Sequence, residues 1–275
     1  AVQGVVTAVT QGLYKGVWIQ DPQGDGSAAT SDGLFVYLRD ADKLEIAPGD
    51  TLCASGKINE YYGHTQLGVT DGQVAKGAYH GTISPTPIRV ESQETLQDAL
   101  ERYEGMHVTM DADSDLVITR NFGFDYDAFR NNMVLSHQSP LYKPTQLYPA
   151  LTSDAEALAA KNSDNQLYIE SDQKAKDGEI PYFPGLDAEQ GYLRIGDRVE
   201  RLSGVMGYSY NQYRLVATNT ITAGDIVHQN DRQPAPNNVP GADIKVASFN
   251  VLNYFTSASA VGGPLNVTCD DRADA

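Results

Sequence analysis

The chain has 275 residues, 41% of them hydrophobic, with 36 acidic side chains against 20 basic ones and a net charge of −16. That length can bury one large core or two modest ones, and no apolar run approaches the span of a bilayer, so this stretch of chain is expected to be soluble. The charge divides as −4 over residues 1–80, −10 over 81–240 and −2 beyond, so no region is basic enough to hold nucleic acid chiefly by neutralising phosphates.

In chain order, VQGVVTAV (2–9), LYKGVWIQD (13–21), GLFVYLRD (33–40), DTLCASGKINEYY (50–62) and HTQLGV (64–69) read as strands. They are rich in β-branched and aromatic residues and are separated by glycine and aspartate turns. Five such strands, the fourth the longest, predict a small closed barrel of the OB type over residues 1–80. Cys53, inside the fourth strand, reads as a small buried hydrophobe. TLQDALERY (95–103) places Leu96, Leu100 and Tyr103 on one face of a helix. GMHVTM (105–110), DLVITR (115–120), NNMVLS (131–136) and NQLYIESD (165–172) continue the strands. SDAEALAAKNS (153–163) reads as a helix opened by Ser153 and Glu156 in capping-box spacing.

The chain then echoes itself. GDTLCASGKINEYYGHTQL (49–67) is answered by GDRVERLSGVMGYSYNQYRL (196–215), with Gly-Asp, Ser-Gly, a tyrosine turn and a leucine in the same order. A repeat of that length predicts a duplicated unit. The expected class is therefore mainly β: two tandem OB-like barrels with a few short helices, the second barrel, with insertions, over 81–222. A proline- and asparagine-rich linker is expected over 223–243, and IKVASFNVLNYF starts a new strand within 244–275.

VQGVVTAV, GVWIQDPQGDGSAATSDGLFVY and APGDTLCASGKINEYYGHTQL resemble the OB-fold-like module placed ahead of the nuclease in bacterial extracellular nucleases. LERYEGMHVTM and LRIGDRVERLSGVMGYSYNQYRL resemble the segment that follows it there. IKVASFNVLNYF resembles the opening strand of their catalytic domain, an α/β sandwich of the endonuclease/exonuclease/phosphatase superfamily, like DNase I. The resemblance covers nearly the whole chain in the right order. It implies a secreted phosphodiesterase that cuts extracellular DNA, in some members also RNA, using Mg²⁺ or Mn²⁺. It also implies that Asn250 helps hold the metal or the scissile phosphate. A side-chain amide suits that role, offering an acceptor to a hard cation and donors to a phosphate oxygen. The family's metal-holding glutamate and its water-activating histidine and aspartates have no counterpart here. His64, His80, His107, His137 and His228 all precede that strand. The chain alone is therefore expected to be inactive, with the missing catalytic domain as its partner.

Three other readings come from the residues themselves. Asp111, Asp113 and Asp115 alternate like the start of a Ca²⁺ loop, but the sixth and twelfth positions hold Leu116 and Phe122 where an EF-hand needs glycine and glutamate. Solvated turn acids explain them better, with Ca²⁺ binding as the sharper alternative. Trp18, Tyr61 and Tyr62 are candidate base-stacking residues of an OB barrel. The rival to the nuclease reading is a non-catalytic extracellular module that binds single-stranded nucleic acid or polysaccharide.

Overall fold

The first five strands form a barrel because each alternates an inward apolar residue with an outward one. They are β1 (Val2–Thr10), β2 (Gly16–Gln20), β3 (Gly33–Tyr37), β4 (Asp50–Tyr61) and β5 (His64–Tyr79), closed in the order β1-β2-β3-β5-β4. All neighbours are antiparallel except β3 and β5, which run parallel. This is the OB-type barrel, in which closure removes exposed strand edges. Val6, Val17, Ile19, Val36, Leu52 and Leu67 fill its interior. The structure, a computed structural model, describes residues 1–229 apart from 40, 126–129, 176–178, 188 and 190, and beyond them only 240, 241, 244 and 246.

Residues 1–230 form one compact unit, so both barrels belong to a single body. After β6 (Thr86–Pro87) and α1 (Leu96–Glu101) come β7 (His107–Thr109), β8 (Leu116–Asp125) and β9 (Arg130–His137). Then follow α2 (Pro144–Leu147), α3 (Ser153–Ser163), β10 (Leu167–Glu170), β11 (Arg198–Val199), β12 (Ser203–Ser209), β13 (Gln212–Ala217) and β14 (Ile226–Val227). Their sheet runs β14-β11-β8-β9-β10-β13-β12-β7-β6.

Seven strands of this nine-stranded sheet are the first barrel again with two strands broken, and β6 and β14 are added at its ends. β7 and β8 are one strand interrupted by the turn Ala112–Ser114, and β11 and β12 are another interrupted at residues 200–202. β7 pairs with β12 and β8 with β11, both antiparallel, just as β1 pairs with β4. β10 and β13 supply the parallel pair. The sheet therefore curls back on itself around Ile118, Met133, Leu135, Ile169, Met206 and Leu215. Leu96 and Leu100 of α1, with Ile180, Tyr182 and Phe183 of the β10–β11 connection, complete that core.

The duplication reaches single hydrogen bonds. Gly49, at φ +94°, donates its N–H to the Val6 carbonyl (2.8 Å), and Gly196, at φ +91°, donates to Ile118 (2.7 Å). The next residue in each case, Asp50 or Asp197, accepts on Oδ2 from a backbone N–H three residues earlier, at 2.8 and 2.9 Å. Both first strands shift register at the same place, between Val6 and Ala8 and between Ile118 and Arg120. Both tyrosine turns carry two consecutive left-handed residues, Tyr62–Gly63 and Tyr210–Asn211, the geometry that a two-residue hairpin turn requires.

Several local expectations shift. α3 is capped by Thr152, whose Oγ1 accepts from the Ala155 N–H at 3.3 Å, rather than by Ser153. β5 runs to Tyr79, ten residues past its expected end. β14 lies inside the expected linker and pairs with β11, which extends the second barrel to Val227. Cys53 is exposed, because the inward positions of β4 are those of Leu52 and Ala54. Among the described residues no helix is long and apolar enough to cross a membrane.

Candidate functional site

OB barrels commonly bind ligands on the outer face of strands 2 and 3. In the first barrel that face is a cross-strand row, Ala8–Trp18–Phe35–Gln66, running over β1, β2, β3 and β5. The second barrel covers it. Trp18, Phe35 and Tyr14 join Val205 of β12 and Val216 of β13 in one buried cluster. The Trp18 Nε1–H donates to Thr10 Oγ1 at 2.9 Å, and its ring lies 4.7 Å from Phe35 and 5.2 Å from Tyr14. Trp18 is fully buried and cannot stack on a base, which corrects its assignment as a substrate-binding residue. On β2 its neighbours Val17 and Ile19 point into the first barrel, and Trp18 points out against Val205 and Val216.

Gly207 makes this approach possible. A Cβ there would sit 2.6 Å from Tyr14 Cζ and 2.9 Å from Trp18 Cη2. Overpacking of this kind costs about 1–3 kcal/mol, so Gly207→Ala is expected to lower the urea midpoint of unfolding with an unchanged m value. A midpoint equal to wild type would show that the barrels do not depend on this contact.

Beside this interface lies His64, first residue of β5 and 2% exposed. Its imidazole stacks on Phe35 at 5.2 Å and 21°, with Tyr14 and Trp18 also in contact. Burial pushes its pKa down to about 4, and Nε2 has no hydrogen-bond partner. The adjacent Thr65 N–H donates to Glu104 Oε1 across the seam at 2.7 Å. Burial, aided by the like charges of Glu101 and Glu60, pushes Glu104 up to about 7 against that bond.

Tyr61 and Tyr62, 61% and 78% exposed, stand edge to face at 4.8 Å on the β4–β5 turn. The equivalent turn of the second barrel presents Tyr210, 81% exposed. A cleft of about 480 Å³ lies between the two turns, lined by Gly63, Gln97, Glu101, Asp164, Tyr208 and Asn211 among others. Its carboxylates and amides can hydrogen-bond neutral hydroxyls and repel phosphate.

The acidic triplet has a local structural role. Asp111 caps the turn Ala112–Ser114, accepting from the Asp113 and Ser114 N–H groups, and both its oxygens accept from the Arg89 guanidinium at 2.8–2.9 Å. That pairing holds its carboxyl below the usual range. Asp115 takes the left-handed conformation that ends the turn, which aspartate tolerates. The triplet is thus the break between β7 and β8. Among the described residues no three histidine, cysteine or acidic side chains are grouped to hold a metal ion. Asn250 lies outside the described residues.

Sequence reasoning missed the matching outer row of the second barrel. Arg120, Val134, Tyr168 and Arg214 face one another across β8, β9, β10 and β13, at the positions of Ala8, Trp18, Phe35 and Gln66. Their one sequence signal is the echo itself, which aligns Gln66 with Arg214 but stops short of the other three. No protein-family model, curated protein or solved structure matches the chain.

Proposed function

We propose that the chain is the accessory portion of a secreted, divalent-metal-dependent nuclease, a paired OB platform that packs on a catalytic domain opened by IKVASFNVLNYF or helps present nucleic acid to it. Mg²⁺ or Mn²⁺ would serve that domain, with Asn250 holding the metal or the scissile phosphate. The observation that carries the reading is the fusion of the barrels. The first buries its outer row against the second, so the pair is one compact unit rather than two independent binding modules. The ordered resemblance of both barrels and of the following strand to extracellular nucleases supports the same reading. A second reading, a polysaccharide-binding module, is favoured by the cleft between the tyrosine turns, whose hydroxyls, amides and carboxylates suit sugar hydroxyls.

Plasmid nicking separates the two. With Mg²⁺ or Mn²⁺ this chain is expected to leave supercoiled DNA intact, because a general base must lie within reach of the attacking water. The chain extended through the downstream domain is expected to nick, and Asn250→Ala is expected to slow it about 100-fold, as loss of one transition-state contact does. Sustained turnover by this chain alone, or an extended chain that never nicks, would overturn the reading.

A further inference from the structure

We infer that the outer row of the second barrel is a binding face for single-stranded nucleic acid, with Arg120 and Tyr168 as its stacking platform. The inference deepens the proposed nuclease reading and rests on it for the identity of the substrate.

Duplication makes the argument. In the first barrel the row Ala8–Trp18–Phe35–Gln66 is apolar and aromatic over its first three positions, and it is buried against the second barrel. The same four positions of the second barrel hold Arg120, Val134, Tyr168 and Arg214. The next position along, Gly207 on β12, is where Trp18 and Tyr14 land. The first barrel therefore covers the Gly207 end and leaves Arg120 exposed at the other, with Tyr168 half-buried between.

The chemistry of this row differs from the rest of the chain. The guanidinium carbons of Arg120 and Arg214 lie 5.2 and 4.7 Å from the Tyr168 ring centre, and Arg214 also lies 5.6 Å from Tyr210. In a chain with 16 excess negative charges, two arginines and two tyrosines interleave on one face. Their charges are not equivalent. Arg214 forms a buried ion pair with Glu170, which neutralises it. Arg120 donates to the Asn132 side chain, and among the described residues it has no ion-pair partner. One guanidinium without an ion pair among the described residues, its carbon 5.2 Å from the centre of an aromatic ring, offers a planar group to a base and a charge to its phosphate. A duplex hides its base faces in the stack, so the ligand this geometry fits is single-stranded.

With one phosphate neutralised, binding should be weak and only shallowly dependent on salt. Fluorescence anisotropy of a labelled oligothymidylate against this chain is expected to give a Kd on the order of 10⁻⁴ M. The affinity should fall only about threefold between roughly 50 and 200 mM salt. Arg120→Ala should weaken binding about fivefold or more, as loss of one stacked, charged contact does. Arg120→Lys, which keeps the charge without the plane, should fall between, and Lys57→Ala, which removes an exposed charge from the first barrel, should bind like wild type. Arg120 is exposed, so an unchanged circular dichroism spectrum is expected for its variants. No oligothymidylate binding, binding unchanged in Arg120→Ala, or complete competition by a neutral oligosaccharide would each overturn the site. None of these outcomes bears on nicking by the extended chain, so the site and the nuclease reading fail separately.

Discussion

Replacing Trp18 with alanine is expected to destabilise the protein by about 3–5 kcal/mol, the range for deleting a fully buried tryptophan. The side chain is 0% exposed and touches both barrels. Its removal opens a cavity against Phe35, Tyr14 and Val216 and strands the Thr10 hydroxyl that accepts from its Nε1–H. Because residues 1–230 are one compact unit, urea unfolding should stay a single transition, with its midpoint moved down. Tyr62→Ala, on an exposed turn, should change stability by no more than about 0.5 kcal/mol. The pair of variants separates the two roles an OB-barrel tryptophan can have. A residue that stacks on bases would lose ligand on substitution and keep its stability. A loss below about 1 kcal/mol would contradict the packing role.

The strands of both barrels were legible because their alternation is strong and their turns carry glycine and aspartate. The duplication was legible from two short signatures, Gly-Asp and Ser-Gly, and the structure shows why those survive. Gly49 and Gly196 occupy a left-handed backbone position, and Asp50 and Asp197 close the turn behind them. What alternation cannot supply is the identity of whatever covers an outward face. Trp18 and Cys53 are both on strands of the first barrel, yet Trp18 meets the second barrel and Cys53 meets solvent.

What the sequence did not show shares that cause. Asp111, Asp113 and Asp115 read best as turn acids, but the partner of Asp111 is Arg89, 22 residues upstream and on no common periodicity. Ile180, Tyr182 and Phe183 fill the second core from a connection that has no regular period at all. Arg120, Val134, Tyr168 and Arg214 come from four strands and become one row only when the register is known. Asn250, the one proposed catalytic residue, rests on resemblance alone.

The seam between the barrels also sets an expected dependence on pH, through two groups of opposite sign. His64 has its folded pKa lowered from 6.5 to about 4, so the folded chain keeps it neutral while the unfolded chain takes up a proton. Its contribution is full above pH 6.5 and is lost as pH falls from 6.5 to 4, by about 3 kcal/mol at 1.36 kcal/mol per pKa unit. Glu104 has its folded pKa raised from 4.5 to about 7, so the folded chain holds a proton that the unfolded chain releases. Its contribution is full below pH 4.5 and is lost as pH rises from 4.5 to 7, by a similar amount. The two slopes oppose each other between pH 4.5 and 6.5 and largely cancel there, which leaves the wild type only the shallower loss at falling pH that burial of His107 adds. Removing one group exposes the other. Glu104→Gln keeps an acceptor for the Thr65 N–H, and it should lose about 3 kcal/mol between pH 6.5 and 4. His64→Phe keeps a ring stacked on Phe35, and it should instead gain stability as pH falls from 7 to 4.5. Urea midpoints of the three proteins across that window test the pair. Parallel profiles for wild type and both variants would show that neither group changes its pKa on folding.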